Sequence, residues 1–106
     1  MPDHAHIVAG AHIVAGARAL HLAHEIRRAG RVTSAWDNLT PAHRAEYMNV
    51  AKGIAAALEA TDNDVDAAAA MLADTLMRQP APLGSLTAVT EYFGRRIAEY
   101  LEGAPA

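Results

Sequence analysis

Apolar and small residues run almost without a break through the first thirty positions of the chain. The hexapeptide Ala-His-Ile-Val-Ala-Gly occupies positions 5–10 and is repeated at 11–16. Alanine dominates the segment and the residues after it continue the pattern, which favours one long helix over about 5–29. The alternative is an exposed arm that pairs with another chain as a strand, because Ile-Val pairs favour strands.

This first helix is predicted to be apolar nearly all round, and its many alanines and glycines allow a neighbouring helix to approach closely. Such a helix is either central to its domain or forms a seam with a second copy of the chain. We therefore expect a homo-oligomer that assembles through the N-terminal helix. The candidate seam residues are Ile7, Val8, Ile13, Val14 and Leu20.

A break and a second helix follow. Gly30 can close the first helix in the left-handed conformation. Thr40 before Pro41 is a helix-start pair, because the hydroxyl accepts a free backbone N–H and proline suits the first helical position. Apolar residues at helical spacing then predict a helix over about 41–60. Its apolar stripe is Tyr47, Val50, Ala51, Ile54 and Leu58.

Two shorter helices are predicted over about 64–78 and 86–102, with Asp64 at the start of one and Ser85 capping the other. The inward residues of the third helix are Val65, Ala68, Ala69, Leu72 and Leu76. Those of the fourth are Leu86, Val89, Phe93, Ile97, Tyr100 and Leu101. The i, i+4 series Glu91, Arg95 and Glu99 predicts a solvated outer face for the fourth helix.

Four helical patterns in 106 residues predict a single all-α domain over 1–106, a small four-helix bundle-like fold with a long N-terminal helix. With no cysteine, neither a disulfide framework nor a thiolate zinc site can form. Asp3 and the absence of a basic segment argue against a secretory signal, and histidine and arginine interrupt the apolar run. We expect no membrane span and a cytoplasmic location.

Charge is unevenly distributed along the chain. Residues 1–53 contain six Lys/Arg and four Asp/Glu, whereas residues 54–106 contain three and eight. The linker between the first two helices is flanked by arginines that could contact an acidic protein surface or DNA. Its tryptophan either plugs the open end of the helix pair or is an exposed anchor for a partner. The partner-binding candidates are Arg27, Arg28, Arg31, Trp36 and Arg44.

The stretch from Ala17 to Leu58 carries Gly30, Trp-x-x-Leu at 36–39 and Arg-x-x-Tyr at 44–47. It resembles small uncharacterised helical proteins of actinobacterial phages and prophages, in which an Ala-x-x-His helix, a glycine and these two motifs occur in order. It is also distantly similar to the repeat of ryanodine receptors, without the aromatic run after glycine. The resemblance implies a compact helical module of viral or prophage origin, without catalytic residues.

Histidine supplies the best candidate chemistry. His21 and His24 share a helical face, and His43 begins the next helix. A zinc or nickel site needs three or four convergent ligands, and the His-Glu-x-x-His pattern is absent because the glutamate follows the second histidine. Half-buried or surface histidines bonded to neighbours are the commoner case. We therefore expect no metal and no other cofactor, with these three histidines as weak candidates.

Two other chemistries lack essential residues. Three aspartates at 62, 64 and 66 match the start of a calcium loop, but Ala67 and Ala73 replace its glycine and bidentate glutamate. Ser34 and Ser85 are placed as loop or cap residues, without an evident general base. We do not expect an enzyme.

These observations predict a non-enzymatic phage or prophage accessory protein that binds a host factor or forms part of a virion, and that self-associates. One alternative is a DNA-binding regulator using Arg27, Arg28, Arg31 and Arg44, whose duplex binding would weaken steeply with salt. A second is a histidine-based metal-binding protein. The interaction hypothesis predicts that charge reversal at Arg27, Arg28 and Arg31 leaves folding intact and removes binding of the partner.

Overall fold

The computed structural model of the protein describes residues 4–79 and 84–103, with side chains described from His12 onward. It contains four helices, α1 (His4–Ala29), α2 (Pro41–Ala60), α3 (Val65–Met77) and α4 (Leu86–Gly103). Each helix end lies within one residue of the position predicted. No strand occurs in the described residues, so the all-α, bundle-like fold class is confirmed. Within the same residues, no helix has the length and apolar content needed to cross a bilayer.

The duplicated hexapeptide is helical, because both copies lie within α1. The extended-arm alternative is therefore wrong for this segment. The side chains of two candidate seam residues, Ile7 and Val8, lie outside the part of the chain whose side chains are described. At the other end of α1, Gly30 has a φ of +74° and donates its N–H to the Ile26 carbonyl at 2.8 Å. This is the left-handed helix end that the sequence predicted.

Side-chain caps begin the other three helices. Thr40, Asp64 and Ser85 each accept a hydrogen bond from the backbone N–H three residues later, at 3.1, 3.1 and 3.2 Å. Each bond satisfies one N–H that has no partner inside the helix. The caps explain why the helix starts could be located from sequence.

The chain forms two compact units. Unit 1 comprises residues 1–52 and 99–106, and unit 2 comprises residues 53–98. Helix α2 begins in unit 1 and ends in unit 2, while α4 begins in unit 2 and ends in unit 1. The expectation of one domain over 1–106 stays a prediction.

In unit 1, α1 and the last turns of α4 pack at very short range through glycine. A Cβ atom built on Gly16 would collide with the ring of Tyr100, and one on Gly103 would collide with the Ala15 carbonyl oxygen. Small residues therefore set this contact, as the sequence predicted for α1. The buried apolar side chains of unit 1 are Ala17, Leu20, Ala51 and Tyr100.

In unit 2, alanine makes up half of the buried apolar residues. Ile54 and Ile97 are the largest fully buried side chains. The remaining buried residues are Ala57, Leu58, Ala68, Ala69, Ala73 and Val89. A core of this composition requires closely spaced helices, because alanine fills little volume.

For four residues, the exposure of the side chain differs from the prediction. Val50, Leu86 and Leu101 were expected to face inward, but all three are exposed. Spacing alone identifies every apolar residue near one face of a helix. Neighbouring helices contact only part of that face, so the residues at its borders remain exposed. Glu99 was placed on the solvated face, yet its side chain is only 16% exposed because it pairs with Arg27.

Candidate interaction surface

A buried carboxylate fixes the linker to the end of α1. The Glu25 side chain accepts hydrogen bonds from the Thr33 hydroxyl at 2.6 Å and from the Arg28 guanidinium at 2.8 Å. The same arginine donates to the Thr33 hydroxyl at 2.8 Å. The Thr33 hydroxyl first, and then Arg28, hold the pKa of Glu25 at about 2, below its ordinary value of 4.5. The carboxylate is therefore ionised and ties residue 33 back to the helix.

An aromatic cluster lies beside this carboxylate. His21 is buried, with its Nε2 atom 3.4 Å from a Glu25 oxygen. Its ring centroid lies 5.4 Å from that of Tyr47, edge to face, and 6.0 Å from that of Trp36. Burial, and then the charge of Glu25, raise the pKa of Tyr47.

Trp36 is half-buried in this cluster, 6.3 Å from the Tyr47 ring. It lies in a short 3₁₀ turn, Trp36–Asn38, held by Arg44, which donates to the Asp37 carbonyl at 3.4 Å. The tryptophan therefore plugs the space between α1 and the start of α2. That Trp36 anchors a partner through its accessible part stays a prediction.

The arginines around the linker do not form a free basic patch. Arg27 pairs with Glu99, and Arg28 pairs with Glu25. Arg31 is exposed and makes no hydrogen bond or ion pair with a described residue. Charge reversal at Arg27 would remove its ion pair with Glu99, and charge reversal at Arg28 would remove a hydrogen bond to Glu25. The expectation that these changes leave folding intact stays a prediction, as does binding of DNA phosphates through the arginines.

The structure does not bring the three candidate histidines into a metal site. His21 is buried against Glu25, whereas His24 and His43 are exposed. His24 contacts Tyr47, with ring centroids 6.2 Å apart. In residues 12–79 and 84–103, no three histidine, aspartate or glutamate side chains are placed to hold one metal ion.

An open groove of about 670 Å³ lies in unit 1 between α1 and the last turn of α4. On its α1 side, Leu22 and Ile26 are 46% and 51% exposed. Its apolar and small lining residues are Ala15, Ala19, Leu22, Ala23, Ile26 and Gly103. Its charged lining residues are Arg18 and Arg27 on α1, and Glu99 and Glu102 on α4.

The groove lies on the helix for which the sequence predicted self-association, but on a different face from the predicted one. Val14 is exposed and Ile13 is half-buried, but Leu20 is 4% exposed and belongs to the core. Leu20 is therefore withdrawn as a seam residue. Leu22 and Ile26 were missed, although the series 15, 19, 22, 23 and 26 follows helical spacing and could have identified the groove.

A second groove, of about 510 Å³, lies in unit 2. Its lining includes the exposed Leu86 and two acidic residues, Asp66 and Glu91, without a basic residue. The two grooves therefore differ in charge: the first carries both signs, and the second carries one.

Comparison of the chain with protein-family models, with curated proteins and with solved structures gives no significant match. The resemblance of residues 17–58 to phage proteins stays a prediction. What can be said about function therefore rests on the geometry of unit 1.

Proposed function

We propose that this protein is a non-enzymatic accessory protein that acts by binding another polypeptide chain at the groove beside α1. The observation that carries the proposal is the exposure of Leu22 and Ile26 in an open groove bordered by charged residues. Apolar centres with polar rims are the usual composition of protein interfaces. A phage or prophage role, with a host factor or virion component as partner, is proposed from the resemblance alone.

The apolar part of the groove lies on its α1 side. Leu22 and Ile26 lie one turn apart along α1, and both side chains are exposed. Ala15 and Ala19 pack against Gly103, so they form the floor of the groove. Apolar side chains one turn apart on a helix are a usual means of recognition between chains, and here α1 supplies them.

The polar cluster beside the linker supports a non-enzymatic proposal. Glu25, Arg28 and Thr33 form a closed set of hydrogen bonds that attaches the linker to α1. This arrangement supports a structural role for the three side chains, and the proposal assigns them no catalytic step.

Site-specific photo-crosslinking tests the proposal. We expect a benzoylphenylalanine at position 22, in cells that produce the protein, to give covalent adducts with a polypeptide chain. The matched control is Met71, an apolar residue of α3 with similar exposure that lies outside the groove. Adducts at position 22 that are absent at position 71 support the proposal. Equal labelling at both positions, or no protein adduct at position 22, would contradict it.

A further inference from the structure

We infer that the surface bound over the α1 groove is the same groove of a second copy of this chain, related to the first by a two-fold axis parallel to the groove. The inference rests on the proposed function and names its partner. It is carried by the distribution of charge along the two edges of the groove.

The two edges of the groove carry opposite charges. Arg18 borders the groove on its α1 side, and Glu102 borders it on the side formed by the last turn of α4. Arg27 and Glu99 pair with each other between the two helices. A two-fold axis along the groove turns the second copy to face the first and exchanges its edges. The basic edge of each copy then lies over the acidic edge of the other, so that one surface complements itself.

Only one residue on each edge has its charge available for such a contact. Arg27 and Glu99 already pair within one chain. Glu102 is exposed and makes no hydrogen bond or ion pair with a described residue. Arg18, with a side chain 53% exposed, lies 3.6 Å from an Asp37 side chain that is 86% exposed, and a contact this exposed is weak. The symmetric pairing therefore joins Arg18 of each copy to Glu102 of the other.

The apolar part of the groove agrees with this arrangement. The two-fold contact covers the exposed side chains of Leu22 and Ile26 of both copies. The groove of unit 2 does not carry charges that complement themselves under two-fold symmetry. Its Asp66 and Glu91 are both acidic, and a symmetric contact there would bring like charges together.

Paired charge reversals test the inference by sedimentation velocity. The unmodified chain is expected to be a dimer. Arg18→Glu and Glu102→Arg are each expected to weaken the dimer by at least about tenfold in Kd, because each places like charges opposite one another twice. An equimolar mixture of the two variants is expected to form a heterodimer, since positions 18 and 102 then meet with opposite charges at both contacts.

The mixture distinguishes a specific pairing from damage to the fold, because misfolded chains do not recover on mixing. Glu59→Arg makes the same charge change at an exposed position of unit 2 outside both grooves, and it is expected to leave dimerisation unchanged. An unmodified chain that is monomeric at every concentration would overturn the inference. So would variants whose mixture dissociates as readily as each alone.

The two proposals fail in different ways. If position 22 crosslinks to a different protein while the unmodified chain sediments as a monomer, the binding function stands and the second copy is wrong. If position 22 gives no protein adduct and the chain is monomeric, both are wrong. Adducts between two copies of this chain, together with recovery in the mixture, support both.

Discussion

At the scale of single residues, Glu25 is held in a buried position of unit 1 by two hydrogen bonds. It is ionised, and it is stabilised by a hydroxyl and a guanidinium that both donate to it. Protonation of the carboxylate would weaken both bonds, because hydrogen bonds to a charged acceptor are stronger than those to a neutral one. Glu25 therefore makes the attachment of the linker sensitive to pH.

Stability is expected to fall in acid through Glu25. Its pKa is about 2 in the folded chain, below its ordinary value of 4.5, so the unfolded chain binds more protons between these values. The stabilisation is complete above about pH 4.5 and is lost as the pH falls towards 2. Urea unfolding at a series of pH values measures it.

The control for this prediction is Glu25→Gln, which cannot titrate. The variant is expected to be less stable at neutral pH and to lose less stability between pH 4.5 and 2 than the unmodified chain. Equal pH dependence in both proteins would show that other carboxylates account for the acid sensitivity.

At the scale of elements, the contact between α1 and the end of α4 depends on the missing side chain of Gly16. A glycine inside a helix usually makes the protein less stable than an alanine would, because glycine has more conformational freedom in the unfolded chain. At position 16 the order reverses, since the ring of Tyr100 is buried and occupies the space of a Cβ atom.

We expect Gly16→Ala to lower the free energy of unfolding by about 1–3 kcal/mol through overpacking. Gly53→Ala is the matched control: Gly53 lies within α2, and a Cβ atom there meets no other atom within 4 Å. That change is expected to raise the free energy of unfolding by about 0.5–1 kcal/mol. Thermal unfolding of both variants measures the difference, and an equally stable Gly16→Ala variant would contradict the packing described here.

Helix ends and helix faces differ in how well the sequence predicts them. The ends are set by local chemistry, such as the Thr40 hydroxyl or the freedom of Gly30, and a reader of the sequence can locate them. The faces are set by neighbours distant in sequence. Because α1 is apolar nearly all round, its spacing could not show that Leu20 is buried and Leu22 is exposed.

At the scale of the whole molecule, the charges that lie together in the fold differ from those that lie together in the sequence. By sequence, Glu99 and Glu102 belong to an acidic second half, and the first half looks mildly basic. In the fold, both glutamates belong to unit 1, and Glu99 pairs with Arg27. Residues 1–52 and 99–106 together carry six Lys/Arg and six Asp/Glu, so the apparent basic half is electrically balanced.

The balanced charge of unit 1 favours a different class of partner from the one that a basic first half would favour. A basic first half would favour an acidic protein or DNA, but a groove with one basic and one acidic edge favours a partner with the same two edges in reverse. The sequence predicted self-association through α1 from its apolar composition. It could not predict which charges border the surface, because they come from opposite ends of the chain.

Native mass spectrometry of the purified, unmodified protein, with and without a chelator, is the first experiment to make on the proposed dimer. It measures the number of chains and any bound metal together. We expect a metal-free dimer whose mass the chelator does not change. A monomer, especially one that loses the mass of a metal ion on chelation, would contradict it and return attention to the histidines.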